Sequence, residues 1–326
     1  MESTVLSVAQ GFNLKYTKSK VYKDKFGHVC ITPQGAVRIQ RGSGRRLHSH
    51  GHGAKSGSDM DVFAILFQHE VKERLHESGF AVDRFLISSH DMPYFKADGD
   101  VYTACFVQSG VNINFTDGPA FLDVVAHIAK MHHALSRANI DAVSARASKN
   151  NSEAARKSTL ANIESLKKKL LKSGRFSDFD MLFLRGYEKF APHIVAFGDE
   201  SGHEHICHNL LKEENIYMQG DSQFAITNFA ETAQAHCLHD LAYIIKRYIK
   251  AKPMEIMPIG RILDIYAANC LMPLDDALFR RILLYPDKFI KVTNDYYSKK
   301  RSFAPNTYIT RMQECLRAGT VLAESL

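Results

Sequence analysis

The chain has 326 residues, 45% of them hydrophobic, and 42 Lys and Arg against 35 Asp and Glu, for a formal charge of +7. That length and apolar content can fill one bilobed domain or two smaller ones, which excludes a disordered or fibrous chain. No run of about 18 apolar residues appears, and "MESTVLSVAQGFNLKYTKSK" lacks the basic-then-apolar order of a signal peptide, so the expectation is a soluble chain with no membrane insertion.

The six cysteines (Cys30, Cys105, Cys207, Cys237, Cys270 and Cys315) are scattered without a C-x-x-C pair. They read as buried, reduced thiols in a cytosolic setting. The positive charge is too diffuse to name an anionic partner by itself.

In chain order, "HVCITPQGAVRIQ" places two strands around the turn residues Pro33, Gln34 and Gly35. Residues 41–59, "RGSGRRLHSHGHGAKSGSD", hold almost nothing apolar and predict an exposed loop, with a histidine-rich tract at 48–52. From Met60 to Gly79, Val62, Ile65, Leu66, Val71 and Leu75 recur at helical spacing and Gly79 closes the helix. "VDRFLIS" and "VYTACFV" read as strands, and the polar "QSGVN" after them as a hinge. "PAFLDVVAHIAKMHHALSRA" turns helical and a polar linker, "SKNNSEAARKS", follows. "LANIESLKKKLLKSGR" sets Leu160, Ile163, Leu166 and Leu170 opposite Lys167, Lys168 and Lys169. Without interleaved aromatics that is a solvated basic face, and nucleic acid is not expected as a partner. "CLHDLAYIIKRYIK", "MPIGRILDIYAANC", "DDALFRRILLYPDKFIKVTNDYYSKK" and "YITRMQECLRAGTVLAESL" each read as an amphipathic helix. The expected organisation is a strand-rich lobe with one helix at 1–108 and a mostly helical lobe at 109–326.

Within the second lobe lies "HICHNLLKEENIYMQGDSQFAITNFAE", residues 205–231. Phosphoryl transfer needs an aspartate at the substrate hydroxyl, an asparagine that helps hold metal, and a later aspartate that holds Mg²⁺ against the phosphates. The stretch is similar to the H-x-D-x-x-x-x-N, strand and D-L-A sequence of aminoglycoside phosphotransferases and related small-molecule kinases. His208 and Asn215 stand at the ends of that spacing, and "HDLA" supplies Asp240. Leu210 occupies the catalytic aspartate position and Asn228 the metal aspartate position. Leucine neither accepts a proton nor bonds strongly, and a neutral amide is a much poorer Mg²⁺ ligand than a carboxylate. The nucleotide-positioning lysine aligns with Gln40; Arg41 reaches the role only by a one-residue slip that turns it to the other face of the strand.

Further segments carry a more specific resemblance: "LISSHDMPYFKADGDVYTACFVQSG", "FSDFDMLFLRGYEKFAPHIVAF", "HICHNLLKEENIY", "HDLAYIIKRYIK" and "RRILLYPDKFIKVTNDYYSKKRS". In this order, over nearly the full chain, they resemble the CotS family of bacterial spore coat proteins, which share the aminoglycoside phosphotransferase-like fold. The resemblance implies an α+β, bilobed, protein kinase-like fold, with a small antiparallel-sheet N-lobe and a larger helical C-lobe. It implies synthesis in the cytoplasm of the mother cell, assembly onto the spore coat, and other coat proteins as partners. In that architecture Asp240 is a structural residue that accepts backbone N–H groups of the catalytic loop, and His208 a scaffold histidine. Many relatives keep acidic residues where this chain has Leu210 and Asn228.

The expected function is thus a coat component that binds or scaffolds without phosphotransfer, with no catalytic residue and no cofactor, ATP and Mg²⁺ included. The alternative is an active small-molecule phosphotransferase that recruits Glu213, Glu214 or Glu231 to metal or substrate. In "HEHICH", His203, His205 and Cys207 alternate on one face if the segment is a strand. They are candidate Zn²⁺ ligands that need a second, well-spaced cluster to complete a tetrahedron; His48, His50 and His52 read either as that cluster or as a flexible tract that binds metal weakly, and no metal site is expected. In "YYSKKR", Tyr296 and Tyr297 read as packed aromatics before a solvated basic end.

Overall fold

The computed structural model describes residues 2–15, 21–23, 27–41, 58–136, 140, 153–195, 205–220, 223–251, 257–298, 305–324 and 326. The histidine-rich tract at 48–52, His203 and the Lys299 to Arg301 end lie outside the described residues. The chain forms two compact units: Met1–Asn114 with Lys130–Arg146 and Leu210–Ala233, and Phe115–Ala129 with Ala147–Asn209 and Gln234–Leu326.

The first unit opens with α1 (Glu2–Gly11), whose Val5, Val8 and Ala9 pack with Val37, Ile39 and Ala104. Those partners belong to a five-stranded antiparallel sheet of β1 (Val21–Lys23), β2 (His28–Thr32), β3 (Gly35–Arg41), β5 (Phe95–Ala97) and β6 (Asp100–Phe106), in the order β1-β2-β3-β6-β5. The β2–β3 turn is held by Thr32, whose Oγ1 donates to the Gly35 carbonyl at 2.8 Å, and Gly35 takes the φ of 130° that suits glycine. On β3, Val37 and Ile39 are buried while Arg38 and Gln40 alternate onto the other face. Helix α2 (Ser58–Glu77) ends where Gly79, at φ 86°, lets the Phe80 N–H reach the Leu75 carbonyl at 2.9 Å.

The second sheet of this unit has the order β4-β10-β9-β7, from β4 (Ala81–Val82), β10 (Gln223–Ile226), β9 (Ile216–Gly220) and β7 (Val111–Asn112). The β4 pairing to β10 is parallel. The strand expected over "VDRFLIS" is reduced to β4 and a single Phe85 to Cys105 bridge. Its physical reason is local: the Arg84 N–H turns back to the Val82 carbonyl at 2.9 Å, which breaks the ladder at Asp83.

The second unit is helical apart from β8 (His205–Cys207), which pairs with β11 (Ala233–Ala235). Helix α3 (Gly118–Ser136) contributes its first turns; α4 (Glu153–Ser173), α5 (Asp178–Val195), α6 (Leu238–Ala251), α7 (Ile259–Cys270), α8 (Asp276–Leu284), α9 (Asp287–Ser298) and α10 (Pro305–Glu324) follow. The helix expected over residues 275–300 is two helices, because Pro286 has no N–H to continue α8 and instead stands just before α9. Helix α5 starts in a reciprocal cap: Asp180 Oδ2 accepts the Ser177 N–H at 2.8 Å, and Ser177 Oγ accepts the Asp180 N–H at 3.3 Å. Tyr297 donates its hydroxyl to Asp180 Oδ1 at 2.6 Å, and Tyr296 stacks on Phe179 with ring centroids 3.8 Å apart. Both tyrosines are thus committed to packing. No helix among the described residues is long and apolar enough to cross a membrane.

Candidate functional site

The segment carrying Leu210, Asn215 and Asn228 lies wholly within the first unit. Asn215 ends a short 3-10 turn (Glu213–Asn215), is fully buried, and donates Nδ2 to the Leu210 carbonyl at 2.8 Å. Its own carbonyl accepts the N–H of Thr227 at 2.9 Å and the Thr227 hydroxyl at 3.3 Å. These bonds tie the loop to the end of β10. Two residues past the end of β10, Asn228 takes a left-handed conformation at φ 64°, which asparagine tolerates better than most residues. Its Nδ2 lies 3.4 Å from Asn215 Oδ1, so the two amides at the metal-ligand positions of the motif bond to each other.

A buried ion pair supports this loop. Lys72 on α2, 2% exposed, places Nζ 3.1 Å from Asp83 Oδ1 and donates to the Asp83 carbonyl at 2.9 Å. Its ammonium sits 3.7 Å from the Phe85 ring centroid and 5.5 Å from that of Phe229, the residue after Asn228. The other carboxylate oxygen of Asp83 accepts the Asn228 N–H at 3.0 Å. The carboxylate bonded to the Asn228 backbone is therefore already ion-paired with a lysine through its other oxygen. The sequence signal for Lys72 is its place on the apolar stripe: Ile65, Lys72 and Leu75 share helical spacing, and a lysine there requires a buried partner.

Gln40 is half-buried on β3, opposite Thr103 of β6, and Arg41 is exposed and paired with Asp100 at 2.5 Å. Glu213 and Glu214 are half-buried on the 3-10 turn; Glu214 lies 4.0 Å from Lys212 Nζ and the Glu213 carbonyl accepts from Asn112. Glu231 is half-buried on the 3-10 turn Phe229–Glu231.

In the second unit, Asp240 is fully buried in the first turn of α6 and accepts the N–H of His208 and that of Asn209, each at 2.7 Å. Asn209 takes φ 59°, and the paired bonds hold that turn closed. Two charge-assisted bonds to one carboxylate, one on each oxygen, fix the backbone of this turn. His208 is 1% exposed. Of the three residues of "HEHICH" singled out as candidate metal ligands, Cys207 points its thiol at the carbonyls of Ala235 and His236, at 3.4 and 3.2 Å, and His203 lies outside the described residues. His205 instead meets His236 and Cys237, all three ligand atoms lying within 4.8 Å of one another.

Solved structures that share this fold include phosphotransferases. An aminoglycoside phosphotransferase from Alicyclobacillus acidocaldarius superposes with a TM-score of 0.70 at 15% identity, covering 98% of this chain and 94% of its own. An amicoumacin kinase solved with AMP-PNP and Ca²⁺ gives 0.64 at 12%, covering 98% and 94%. A microcompartment-associated aminopropanol kinase gives 0.62 at 10%, covering 100% and 98%. The chain has the α+β, kinase-like aminoglycoside phosphotransferase fold. No family model and no curated protein matches the sequence.

Proposed function

We propose that this chain is a kinase-fold protein without phosphotransfer, acting as a binding or scaffold component of the bacterial spore coat. The observation that carries the loss of chemistry is Asn228: a neutral amide stands at the metal aspartate position and is bonded to Asn215, with its backbone N–H on the ion-paired Asp83. Leu210 at the catalytic position removes the group that would orient a substrate hydroxyl. Phosphoryl transfer relies on positioning and electrostatics, and both carboxylates that supply them are missing together. The coat assignment is supported by the ordered segments that resemble the CotS family, the C-terminal "RRILLYPDKFIKVTNDYYSKKRS" above all.

The test is a tagged full-length chain expressed during sporulation in a spore-forming host, with purified protein assayed in parallel for Mg²⁺-dependent ATP turnover against amino sugars and amino alcohols. The tag should be recovered in the coat extract of mature spores, with no turnover. Recovery from the mother-cell lysate alone removes the coat assignment, and turnover restores the enzyme reading with Glu213, Glu214 or Glu231 as the carboxylates to substitute first.

A further inference from the structure

At the two ends of the motif segment, β8, β11 and the start of α6 bring together three side chains of types that bind transition metals. His205 lies on β8; His236 and Cys237 lie between β11 and α6. Their ligand atoms lie within 4.8 Å of one another, the imidazoles meet edge-to-face with centroids 5.0 Å apart, and Cys237 Sγ is 3.9 Å from His236 Nδ1.

We infer that His205, His236 and Cys237 form a zinc site that clamps the β8–β11 pair to the start of α6. Zinc takes imidazole nitrogen at about 2.0–2.1 Å and thiolate sulfur at about 2.3 Å, which puts nitrogen and sulfur about 3.6 Å apart across a tetrahedral ion. The observed 3.9 Å between His236 Nδ1 and Cys237 Sγ is close to that edge, and His205 closes the triangle by a side-chain adjustment of about 1 Å. The lone pair of His236 Nδ1 that would bind the ion now accepts the Leu238 N–H at 3.3 Å, a long bond from a first-turn donor that helix geometry leaves without an intrahelical partner. His236 and Cys237 are buried while His205 is half-buried, so the open coordination position faces the His205 side and takes water. One thiolate with two imidazoles suits zinc over hard, oxygen-seeking cations. Ligand capture deprotonates the thiol, and one proton leaves to solvent for each ion bound. The Cys207 thiol, turned to the Ala235 and His236 carbonyls, lies outside the ligand set.

The test uses the full chain carrying His48→Ala, His50→Ala and His52→Ala, so that the histidine-rich tract cannot supply the ion, stripped with chelator and titrated with Zn²⁺ against a chromophoric competitor. A parallel Co²⁺ titration reports sulfur ligation through the thiolate-to-cobalt absorption band. One ion per chain is expected, with that band present. His205→Gln and Cys237→Ser should each weaken binding by more than the roughly 100-fold lost when an outer-shell partner of a metal ligand is removed. Cys237→Ser should also abolish the band, and Cys207→Ser should leave binding and band intact. His205→Gln, at the half-buried edge, keeps the test decisive if the more buried Cys237→Ser fails to fold. Absence of stoichiometric zinc, a cobalt complex without the band, or unchanged affinity in His205→Gln overturns the site.

Discussion

Lys72 Nζ stands 3.1 Å from Asp83 Oδ1, and the other oxygen of that carboxylate holds the backbone N–H of Asn228 at 3.0 Å. A lysine from a helix and an aspartate beside a two-residue strand thus fix the residue where a phosphotransferase keeps its metal carboxylate. Both side chains are almost fully buried, so removing one partner strands the other charge. Lys72→Met should lower unfolding free energy by about 3–5 kcal/mol in urea titrations. The Lys72→Met, Asp83→Leu double variant should lose less than the sum of the single losses, and a strictly additive cycle would show that the pair is not coupled.

Asp240 makes the matching anchor in the second unit. Asp240→Asn keeps one acceptor oxygen and loses the charge-assisted bond on the other, at a cost of about 1.5–3 kcal/mol. Amide exchange at His208 and Asn209 should accelerate ahead of that in α6, which is measurable by hydrogen exchange. Uniform acceleration over the whole unit would contradict a local role.

His69 gives a pH signature. Burial pushes its imidazole below the ordinary histidine value, with the neighbouring Lys72 and Arg84 acting the same way and Glu73, 3.7 Å from Nδ1, acting against them. With the folded value depressed, the unfolded chain binds the proton first as pH falls, so the contribution is whole above the unfolded pKa of about 6.5 and declines below it. In His69→Gln the fall of stability over the window just under that pKa should be shallower than in the wild type. An unchanged slope would assign the fall to other groups.

Leu271 ends α7 at φ 55° and is 69% exposed. A left-handed conformation costs an L-residue with a Cβ about 1–2 kcal/mol, and no burial offsets it here. Leu271→Gly should raise the melting temperature, by relief worth about 1 kcal/mol; a lower melting temperature would show that the leucine packs in solution.

Much of the fold was legible because periodicity reports burial. Val37 and Ile39 alternate on β3, Ile65 and Leu75 line α2, and the spacing of His208, Asn215 and Asp240 marks the loop and its anchor. Helix α1 was not read as one, since its ten residues carry neither a strong cap signal nor a long apolar stripe. Residues 210–233 cluster with the N-terminal elements because β9 and β10 complete the sheet that β4 and β7 begin, a long-range pairing that no local pattern encodes. Within the site, the residue types at Leu210 and Asn228 were plain from spacing, whereas the Lys72–Asp83 pair depends on two distant segments meeting. The same holds for His236 and Cys237: "HEHICH" drew attention to alternation along one strand, while the ligands that join His205 come from the far side of the β8–β11 pairing.

The proposed loss of Mg²⁺-dependent nucleotide chemistry at Asn228 and Leu210 is tested by calorimetric titration of the purified wild-type chain with ATP, with and without Mg²⁺, alongside melting scans. A ligand at about 100 times its dissociation constant stabilises the folded state by about 2.7 kcal/mol, well within reach of such a scan. Heats and melting temperatures should be unchanged by Mg²⁺, with a Mg²⁺ dependence only after Asn228→Asp. Tight ATP binding by the wild type that requires Mg²⁺ would contradict the proposed loss.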